Sequence, residues 1–176
     1  MSDAPTVYTI GHSTHTADAF LELLQAHGIR QLADVRLIPK SSRHPHFASE
    51  PLAHTLAVHG IDYRHFPGLG GRRRPRPDSV NTAWRVEAFR GYADFMGTEA
   101  FKQALAALMG FASRAPTALM CAEAVWWQCH RRLLADALVV RGLPVRHILS
   151  AGDAKPHELS EFARIDGDEV TYPGLL

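Results

Sequence analysis

Two cysteines, a glutamate, a histidine and an arginine stand within one short stretch in the second half of the chain. Cys129, His130 and Arg131 fall at the start of a helix that the pattern predicts there. The first turn of a helix carries unpaired backbone N–H groups and the positive end of the helix dipole, which lower the pKa of a thiol and disfavour cations. The cationic residues therefore need a negative partner, which we predict to be Glu123, Asp34 or a bound phosphate.

Other ionisable side chains stand where predicted strands end. Asp34 and Arg36 occupy alternate positions at the end of the second strand, so their side chains share one face. Cys121 and Glu123 do the same at the end of the fourth strand. A charge inside a strand is costly unless it is paired, so we predict that the two pairs face each other across a crevice. The alternative is that Asp34 and Arg36 pair only with each other.

The carboxyl ends of parallel strands are where open sheets bind ligands, and the residues at these ends form the predicted site. Carboxylates and histidines serve general acid/base chemistry, and a thiolate serves as a nucleophile. The predicted catalytic residues are Glu123, Asp34, Cys121 and His130. The predicted anion- or substrate-binding residues are His12, Ser13, Arg36, Cys129, Arg131, Trp126, Trp127, Gly70, Gly71 and His147.

The two cysteines leave two other interpretations open. The spacing Cys-x-Glu-x5-Cys-His is not a zinc-ribbon or zinc-finger pattern, and we predict no cofactor. A metal held by Cys121, Cys129 and His130, or a disulfide between the two cysteines, stays as the alternative.

Two further features suit a nucleotide or nucleic-acid ligand. Trp126 and Trp127 have the side chains to stack a base or a sugar, with a hydrophobic lid packed on a neighbouring helix as the alternative. Residues 70–82 carry four arginines among glycines and prolines, which predicts a mobile basic loop. That loop either follows a phosphate backbone or is simply solvated.

The elements that must position these residues alternate between short β-rich runs and longer helical patterns. Strands are predicted at residues 7–10, 29–35, 61–66, 117–122 and 145–149. Helices are predicted at residues 16–27, 51–59 and 128–141, with two more in residues 83–115, the second opened by Thr98 as N-cap. This order predicts a three-layer α/β domain, Rossmann-like or flavodoxin-like, with about five parallel strands and a small C-terminal hairpin around Asp166 and Gly167.

Composition narrows the function classes. The 176 residues carry a net charge of +1, which excludes binding to nucleic acid by bulk charge alone. Lys40, Lys102 and Lys155 are the only lysines among 19 basic residues, and the chain has 11 histidines. Arginine forks and titrating histidines suit an anion site, although a GC-rich genome also favours arginine codons.

We expect a cytoplasmic protein of one domain, residues 1–176, with a polar tail from about residue 151. Two cysteines in this length fit a reduced compartment better than a disulfide scaffold. The chain starts without a basic, then apolar, leader, and it holds no apolar run of roughly 18 residues. A membrane partner is therefore not expected, and the oligomeric state stays open.

A series of short motifs in a fixed order resembles the domain of unknown function family 488 over about residues 6–157. The motifs are Thr9-Ile10-Gly11-His12-Ser13, Asp34-Val35-Arg36, Gly60-Ile61-Asp62-Tyr63, Leu69-Gly70-Gly71, Tyr92-Ala93-Asp94-Phe95-Met96, Cys121-Ala122-Glu123, Cys129-His130-Arg131 and His147. The resemblance implies a Rossmann-type α/β domain without an established reaction. Trp126 and Trp127 depart from the polar residues or proline of more distant members, so a ligand preference that they set belongs to a subgroup.

The functional hypothesis is an enzyme that acts on a nucleotide, a nucleic acid or another phosphate-bearing anion. Arg36, Arg131 and the helix start would bind the anion, with Glu123 or Asp34 as general acid or base. The histidines of the site would relay a proton, and either cysteine is a candidate nucleophile. The alternatives are a non-catalytic nucleic-acid-binding or regulatory module and a thiol or metal sensor.

Overall fold

A computed structural model describes residues 4–174 of the chain, and its centre is a six-stranded sheet. The strands are β1 (Val7–Gly11), β2 (Gln31–Asp34), β3 (Asp62–His65), β4 (Thr117–Cys121), β5 (Val145–His147) and β6 (Lys155–Pro156). Their spatial order is β3-β2-β4-β1-β5-β6, in which the first five strands are parallel and the short β6 is antiparallel to β5. A separate antiparallel hairpin joins β7 (Arg164–Asp166) to β8 (Glu169–Thr171).

Five α-helices cover the two faces of the sheet. They are α1 (Ala17–Ala26), α2 (Ser49–Val58), α3 (Glu87–Met96), α4 (Glu99–Ala112) and α5 (Arg131–Val140). One apolar cluster packs α1 and α2 on one face, and a larger one packs α3, α4 and α5 on the other. Thr98 caps α4 as predicted, because its hydroxyl accepts a hydrogen bond from the backbone N–H of Phe101.

The predicted α/β class, the parallel strands and the small hairpin are confirmed. The order of the five parallel strands, 3-2-4-1-5, differs from the 3-2-1-4-5 order of Rossmann domains and the 2-1-3-4-5 order of flavodoxin-like domains. In this order β4 is central, and Cys121 at its end pairs in register with Gly11 of β1 while Met120 pairs with Asp34 of β2. The ends of β2, β4 and β1 therefore lie side by side.

The fifth helix begins later than the pattern predicted. Residues 126–128 form a 3-10 turn, Cys129 has extended backbone angles, and His130 precedes the first helical residue, Arg131. Cys129 consequently lies just before the helix rather than inside its first turn. The start of the helix still points its N–H groups toward the end of β4, since the N–H of Arg131 lies 3.4 Å from the sulfur of Cys129.

The C-terminal segment packs back on the domain. Tyr172 is fully buried, and its phenol donates a hydrogen bond of 2.8 Å to Asp136 of α5. Within residues 4–174, no helix has the length and apolar character needed to cross a membrane. The ends of the predicted domain, residues 1–3 and 175–176, lie outside the described residues.

Candidate active site

A cavity of about 400 Å³ opens at the ends of β2 and β4. It is lined in part by six of the predicted site residues, which are Arg36, Gly71, Cys121, Glu123, Cys129 and His130. Lys40 and Arg72 add two cations from the loops that follow β2 and β3. The cavity therefore brings thiols, an imidazole, one carboxylate and several cations to one place.

Cys129 has hydrogen-bonding partners on several sides of its sulfur. Its sulfur lies 2.7 Å from the sulfur of Cys121, and Nδ1 of His130 lies 3.4 Å away. Burial alone would raise the pKa of Cys129, but the hydrogen bonds from Cys121 and His130, with the positive charges of His130 and Arg131, hold it well below its usual range. The pKa of Cys121 is raised by burial and by the neighbouring Cys129. Of the two sulfurs, Cys129 is therefore the one that loses its proton more readily.

His130 is held in an orientation that points one ring nitrogen at the sulfur of Cys129. Its Nε2–H donates to the backbone carbonyl of Val35 across 2.9 Å, which leaves Nδ1 to face the sulfur of Cys129. Gly71 lies against the ring, and a Cβ there would come within 3.1 Å of Nδ1. The absence of a side chain at Gly71 thus makes room for the imidazole.

Arg131 is buried without a carboxylate partner. Its Nη2 donates to the backbone carbonyl of Glu123 across 2.7 Å, and its Nη1 donates to the hydroxyl of Thr9 across 3.2 Å. Its Nε has no hydrogen-bond partner among residues 4–174, and it forms no salt bridge with a carboxylate within that range. Gly11 allows this arrangement, because a Cβ there would overlap the same Glu123 carbonyl. The positive charge of Arg131 is one of the effects that lower the pKa of Cys129.

Asp34 and Arg36 form a closed pair, which was the alternative left open by the sequence. Two guanidinium nitrogens of Arg36 donate to the two carboxylate oxygens at 2.9 and 2.7 Å, and Tyr63 donates a further short hydrogen bond. Asp34 is fully buried, and Arg36 is 6% exposed. In this arrangement neither oxygen of Asp34 is free for the predicted acid/base role. Arg36 presents only its remaining nitrogen, Nη1, beyond the pair.

His12 extends this pair toward β1. Its Nδ1–H donates to the carbonyl of Ser13, and its Nε2 lies 3.4 Å from Nη1 of Arg36. Burial, with a smaller contribution from the charge of Arg36, lowers the pKa of His12 to about 4 against the opposing effect of the Ser13 carbonyl. His12 is therefore neutral at pH 7 and orients Arg36 rather than binding an anion as a cation.

A second cavity adjoins the first and shares Lys40, Ala122 and Glu123 with it. Ser13 lines this second cavity and has a positive φ of 47°, a conformation that non-glycine residues adopt rarely. Arg43 and His44 line it as well. Sequence reasoning missed Lys40 and Arg43, although their place in the loop directly after β2 was a usable signal.

His147 belongs to a buried network rather than to either cavity. Its Nδ1 lies 2.6 Å from the hydroxyl of Thr9, and its Nε2 lies 2.8 Å from Nδ1 of His157, whose Nε2 bonds Asp136 at 2.7 Å. Burial, His157 and Arg131 lower the pKa of His147 to about 3, so its ring is neutral. With both rings protonated on Nε2, every hydrogen bond runs in one direction from Arg131 to Asp136.

The aromatic pair divides between packing and exposure. The ring of Trp126 stacks on His147 with centroids 4.2 Å apart and planes 5° from parallel. Trp127 is 44% exposed, and neither tryptophan lines the two cavities. Trp126 therefore covers the buried network, and its face against His147 is not free to stack on a ligand.

The basic loop is irregular, as predicted, and it is held at several points. Arg73 donates to the carbonyl of Gly70 and lies over the ring of Phe95, 3.8 Å from its centroid. The N–H of Arg76 donates to Asp94 of α3. Gly70 itself passes so close to the backbone of Leu37 that a Cβ would meet it at 2.6 Å. Both glycines of the predicted site thus permit close packing.

The metal alternative gains no support from this geometry. Among the residues that the structure describes, no group of three or more histidine, cysteine, aspartate or glutamate side chains is arranged to hold a metal ion. Cys121 and Cys129 are both free thiols. The predicted negative partner of the helix start is likewise neither carboxylate, since Glu123 contributes its carbonyl and Asp34 is bound to Arg36.

Comparison with known proteins gives one finding. None of the curated proteins and none of the solved structures matches the chain. The model of a family described as domain of unknown function DUF488 matches residues 16–138, which is more than half of the chain. The match includes the whole of the first cavity and ends before His147 and His157. The chain therefore belongs to the DUF488 family.

Proposed function

We propose that this protein is an enzyme in which the Cys129 thiolate attacks a phosphate-bearing anion in the first cavity. The observation that carries the proposal is the set of groups around one sulfur, namely a second thiol, a backbone N–H and an imidazole oriented by a carbonyl. A nucleophile, a base and a group that orients the base are the parts of a thiol active site. Cys129 takes the nucleophilic role, and Cys121 becomes its hydrogen-bond donor.

The charges around the cavity favour an anionic substrate. Lys40 and Arg72 are exposed cations of its lining that form no salt bridge within residues 4–174. Arg36 is neutralised by Asp34 and contributes a hydrogen-bond donor more than a net charge. Glu123 is the one acidic residue of the lining, and it is exposed. Because phosphate esters are anions, Lys40 and Arg72 would hold the phosphoryl group beside the sulfur.

The reaction that this arrangement supports has two steps. The Cys129 sulfur attacks phosphorus, an S–P bond forms, the P–O bond to the leaving group breaks, and protonated His130 gives its Nδ1 proton to the departing oxygen. Glu123 then takes a proton from a water molecule that attacks phosphorus. The S–P bond breaks, phosphate leaves and the thiolate is restored, while the proton taken up by Glu123 returns through solvent to His130.

Selective alkylation tests the thiolate without knowledge of the substrate. Iodoacetamide at about pH 6.5 should modify Cys129 at least about tenfold faster than an ordinary thiol, whose pKa is about 8.5. Peptide mass mapping locates the label, and His130→Asn should slow the reaction because it removes the imidazole next to the sulfur. Alkylation of Cys129 at the rate of an ordinary thiol would overturn the proposal.

Turnover of 4-nitrophenyl phosphate tests the chemistry. Cys129→Ser should abolish release of nitrophenol. Glu123→Gln should slow the second step, so that a phosphoryl group accumulates on Cys129 and adds its mass to the protein. Asp62→Asn, an exposed carboxylate at the start of β3, is the matched control. Full activity of Cys129→Ser would exclude the covalent mechanism.

A second function, binding of a single-stranded nucleic acid without chemistry, is favoured by the run of adjoining cavities. A third cavity, lined by Arg72, Arg73 and Arg74, shares Arg72 and Ala88 with the first. Apart from Arg36, the three cavities are lined by five Lys or Arg side chains and by two glutamates. That lining carries a net +3 in a chain of net +1, so positive charge is concentrated along one groove.

Salt dependence separates this function from the first. A labelled oligothymidylate of about ten nucleotides should bind with an affinity that falls steeply with salt. Arg43→Gln and Arg74→Gln should each lower the slope of log affinity against log salt by about one. Arg164→Gln, on the exposed hairpin, is the control. Equal slopes for all variants would exclude the groove as a phosphate-binding surface.

A further inference from the structure

The two cysteines lie in contact within the first cavity wall. Cys121 ends β4 and Cys129 precedes α5, and their sulfurs are 2.7 Å apart as free thiols. A disulfide bond is about 2.05 Å long, so closure requires the sulfurs to approach by only about 0.7 Å. The short loop between them already brings both side chains to one point.

The environments of the two sulfurs make them unequal. At Cys129 the effect of burial is opposed by hydrogen bonds and by the charges of His130 and Arg131, which hold its pKa low, whereas burial and the neighbouring Cys129 raise the pKa of Cys121. A thiolate is the form that reacts with peroxides, and a second thiol in contact with it can resolve the sulfenic acid if it gives its proton to the leaving oxygen as its sulfur attacks. This division of roles requires two different environments, which the cavity provides.

Both cysteines are almost fully buried, but they can be reached from the first cavity. Cys129 is 5% exposed and Cys121 is 3% exposed, and both line the cavity of about 400 Å³. A hydroperoxide group is small enough to enter such a cavity, whereas a second protein thiol would meet its walls. The geometry therefore favours oxidation by a small molecule over exchange with another protein.

We propose that Cys121 and Cys129 form a redox site, in which a hydroperoxide oxidises Cys129 and Cys121 then closes a disulfide. In the first step the Cys129 sulfur attacks the peroxide, an S–O bond forms, the O–O bond breaks, and the released oxygen leaves as an alcohol or water after taking a proton. In the second step the Cys121 sulfur attacks that of Cys129, and water leaves with the Cys121 proton. Two electrons pass from the two sulfurs to one peroxide.

Disulfide formation would add a means of regulation to the proposed function, and it rests on the same Cys129 thiolate. The disulfide removes the nucleophile, so oxidation would switch the enzyme off and a thiol reductant would restore it. The disulfide also protects the sulfur of Cys129, because a sulfenic acid that is not resolved is oxidised further and irreversibly.

Mass spectrometry of the intact protein treated with hydrogen peroxide tests the inference. The full-length protein should lose two hydrogens, and peptide mapping should place a disulfide between Cys121 and Cys129 that dithiothreitol reverses. Cys121→Ser, which keeps a small hydroxyl donor next to the sulfur, should instead accumulate sulfinic acid on Cys129, about tenfold above the full-length protein at the same dose.

The test does not depend on whether Cys121→Ser folds, because each outcome for the unaltered protein either supports or overturns the inference. Stepwise gain of oxygen on Cys129 without a disulfide overturns it, and so does the absence of any oxidation. Fast iodoacetamide labelling of Cys129 together with either result would leave the proposed function standing. Slow labelling would remove the proposed function by itself, which keeps the two failures distinguishable.

Discussion

Arg36 and Arg131 are two buried arginines at neighbouring strand ends, and they balance their charges in different ways. Arg36 binds both oxygens of Asp34, a carboxylate two residues before it on the chain. Arg131 binds a carbonyl and a hydroxyl, neither of which carries a charge. Both arginines are almost fully enclosed, at 6% and 1% exposure. A buried charge without a counter-charge is costly, so Arg131 needs a negative group that the carboxylates do not supply.

The difference separates an arginine that is held by its own carboxylate from one whose charge acts on a cysteine. The pair of Asp34 and Arg36 is complete, and it fixes the backbone after β2, where His65 also bonds the carbonyl of Arg36. Arg131 has no carboxylate partner within residues 4–174, and its charge lowers the pKa of Cys129. The same residue type thus completes an ion pair at one strand end and lowers the pKa of a thiol at the next.

The largest expected effect is the loss of the carboxylate of Asp34. Asp34→Asn leaves Arg36 buried without its partner, which typically costs about 3–5 kcal/mol in the free energy of unfolding. Urea unfolding measures this cost. Asp78→Asn breaks the exposed pair with Arg76, where both side chains are more than two-thirds exposed, and should cost about 0–1 kcal/mol. Equal costs for the two substitutions would show that Arg36 does not depend on its partner.

The hydroxyl of Thr9, which accepts a hydrogen bond from Arg131, should contribute less to the free energy of unfolding than the carboxylate of Asp34. Thr9→Val keeps the shape of the side chain but leaves Nη1 of Arg131 and Nδ1 of His147 without a partner. We expect a loss of about 1–3 kcal/mol, measured by urea unfolding. Thr55→Val on α2 is the matched control, with an expected change of no more than about 0.5 kcal/mol. A loss at Thr9 as small as that of the control would contradict the network.

The fold class and the chemical types at the site were accessible from the sequence because they depend on local periodicity. Alternation placed Asp34 and Arg36 on one face, and the helix start marked Cys129 and His130. The order of the strands was not accessible, since the period of a strand indicates its faces and not its neighbours. The partner of Arg131 was equally hidden, because a backbone carbonyl has no residue signature.

The buried network shows the same limit for long-range contacts. His157 and Asp136 bond each other across 21 positions, and no spacing rule links a tail residue to the middle of α5. The sequence pattern also could not show which residues face the cavity. It grouped His147 with the site, although Trp126 covers His147 in the structure. Residue type and strand position predicted which groups gather at this end of the sheet, but only packing decides which of them face solvent.

The charge of Arg131 should be visible in the reactivity of Cys129. Arg131→Met removes a charge that lowers the pKa of the thiol, so alkylation at about pH 6.5 should slow by about tenfold, equivalent to about 1.4 kcal/mol. Arg131→Lys keeps the charge and should slow it less. The double substitution Asp34→Asn with Arg36→Met removes two charges that cancel, so it should leave the rate nearly unchanged. A larger effect of the double substitution would show that Arg36, and not Arg131, supplies the charge that lowers the pKa of Cys129.

The smallest expected effect is a pH dependence that both arginines share through a neighbouring histidine. Burial lowers the pKa of His12 to about 4 and that of His147 to about 3, and Arg36 and Arg131 respectively contribute. A histidine with a lowered pKa binds its proton more readily in the unfolded chain. The free energy of unfolding is therefore highest above pH 6.5 and declines as the pH falls toward the pKa of the folded state. We expect each histidine to account for about 1 kcal/mol of the loss between pH 6.5 and about pH 5.5.

Replacement of either histidine should therefore flatten the free energy of unfolding against pH as well as lower it. Urea unfolding at several pH values measures the slope for His12→Asn and His147→Asn, with exposed His59→Asn on the loop after α2 as control. The slope separates the protonation effect from the lost hydrogen bonds, which lower stability equally at all pH values. If the slope falls for His147→Asn alone, the Arg36 region tolerates a protonated His12, and the charge of Arg36 is then more completely neutralised by Asp34 than that of Arg131 is by Cys129.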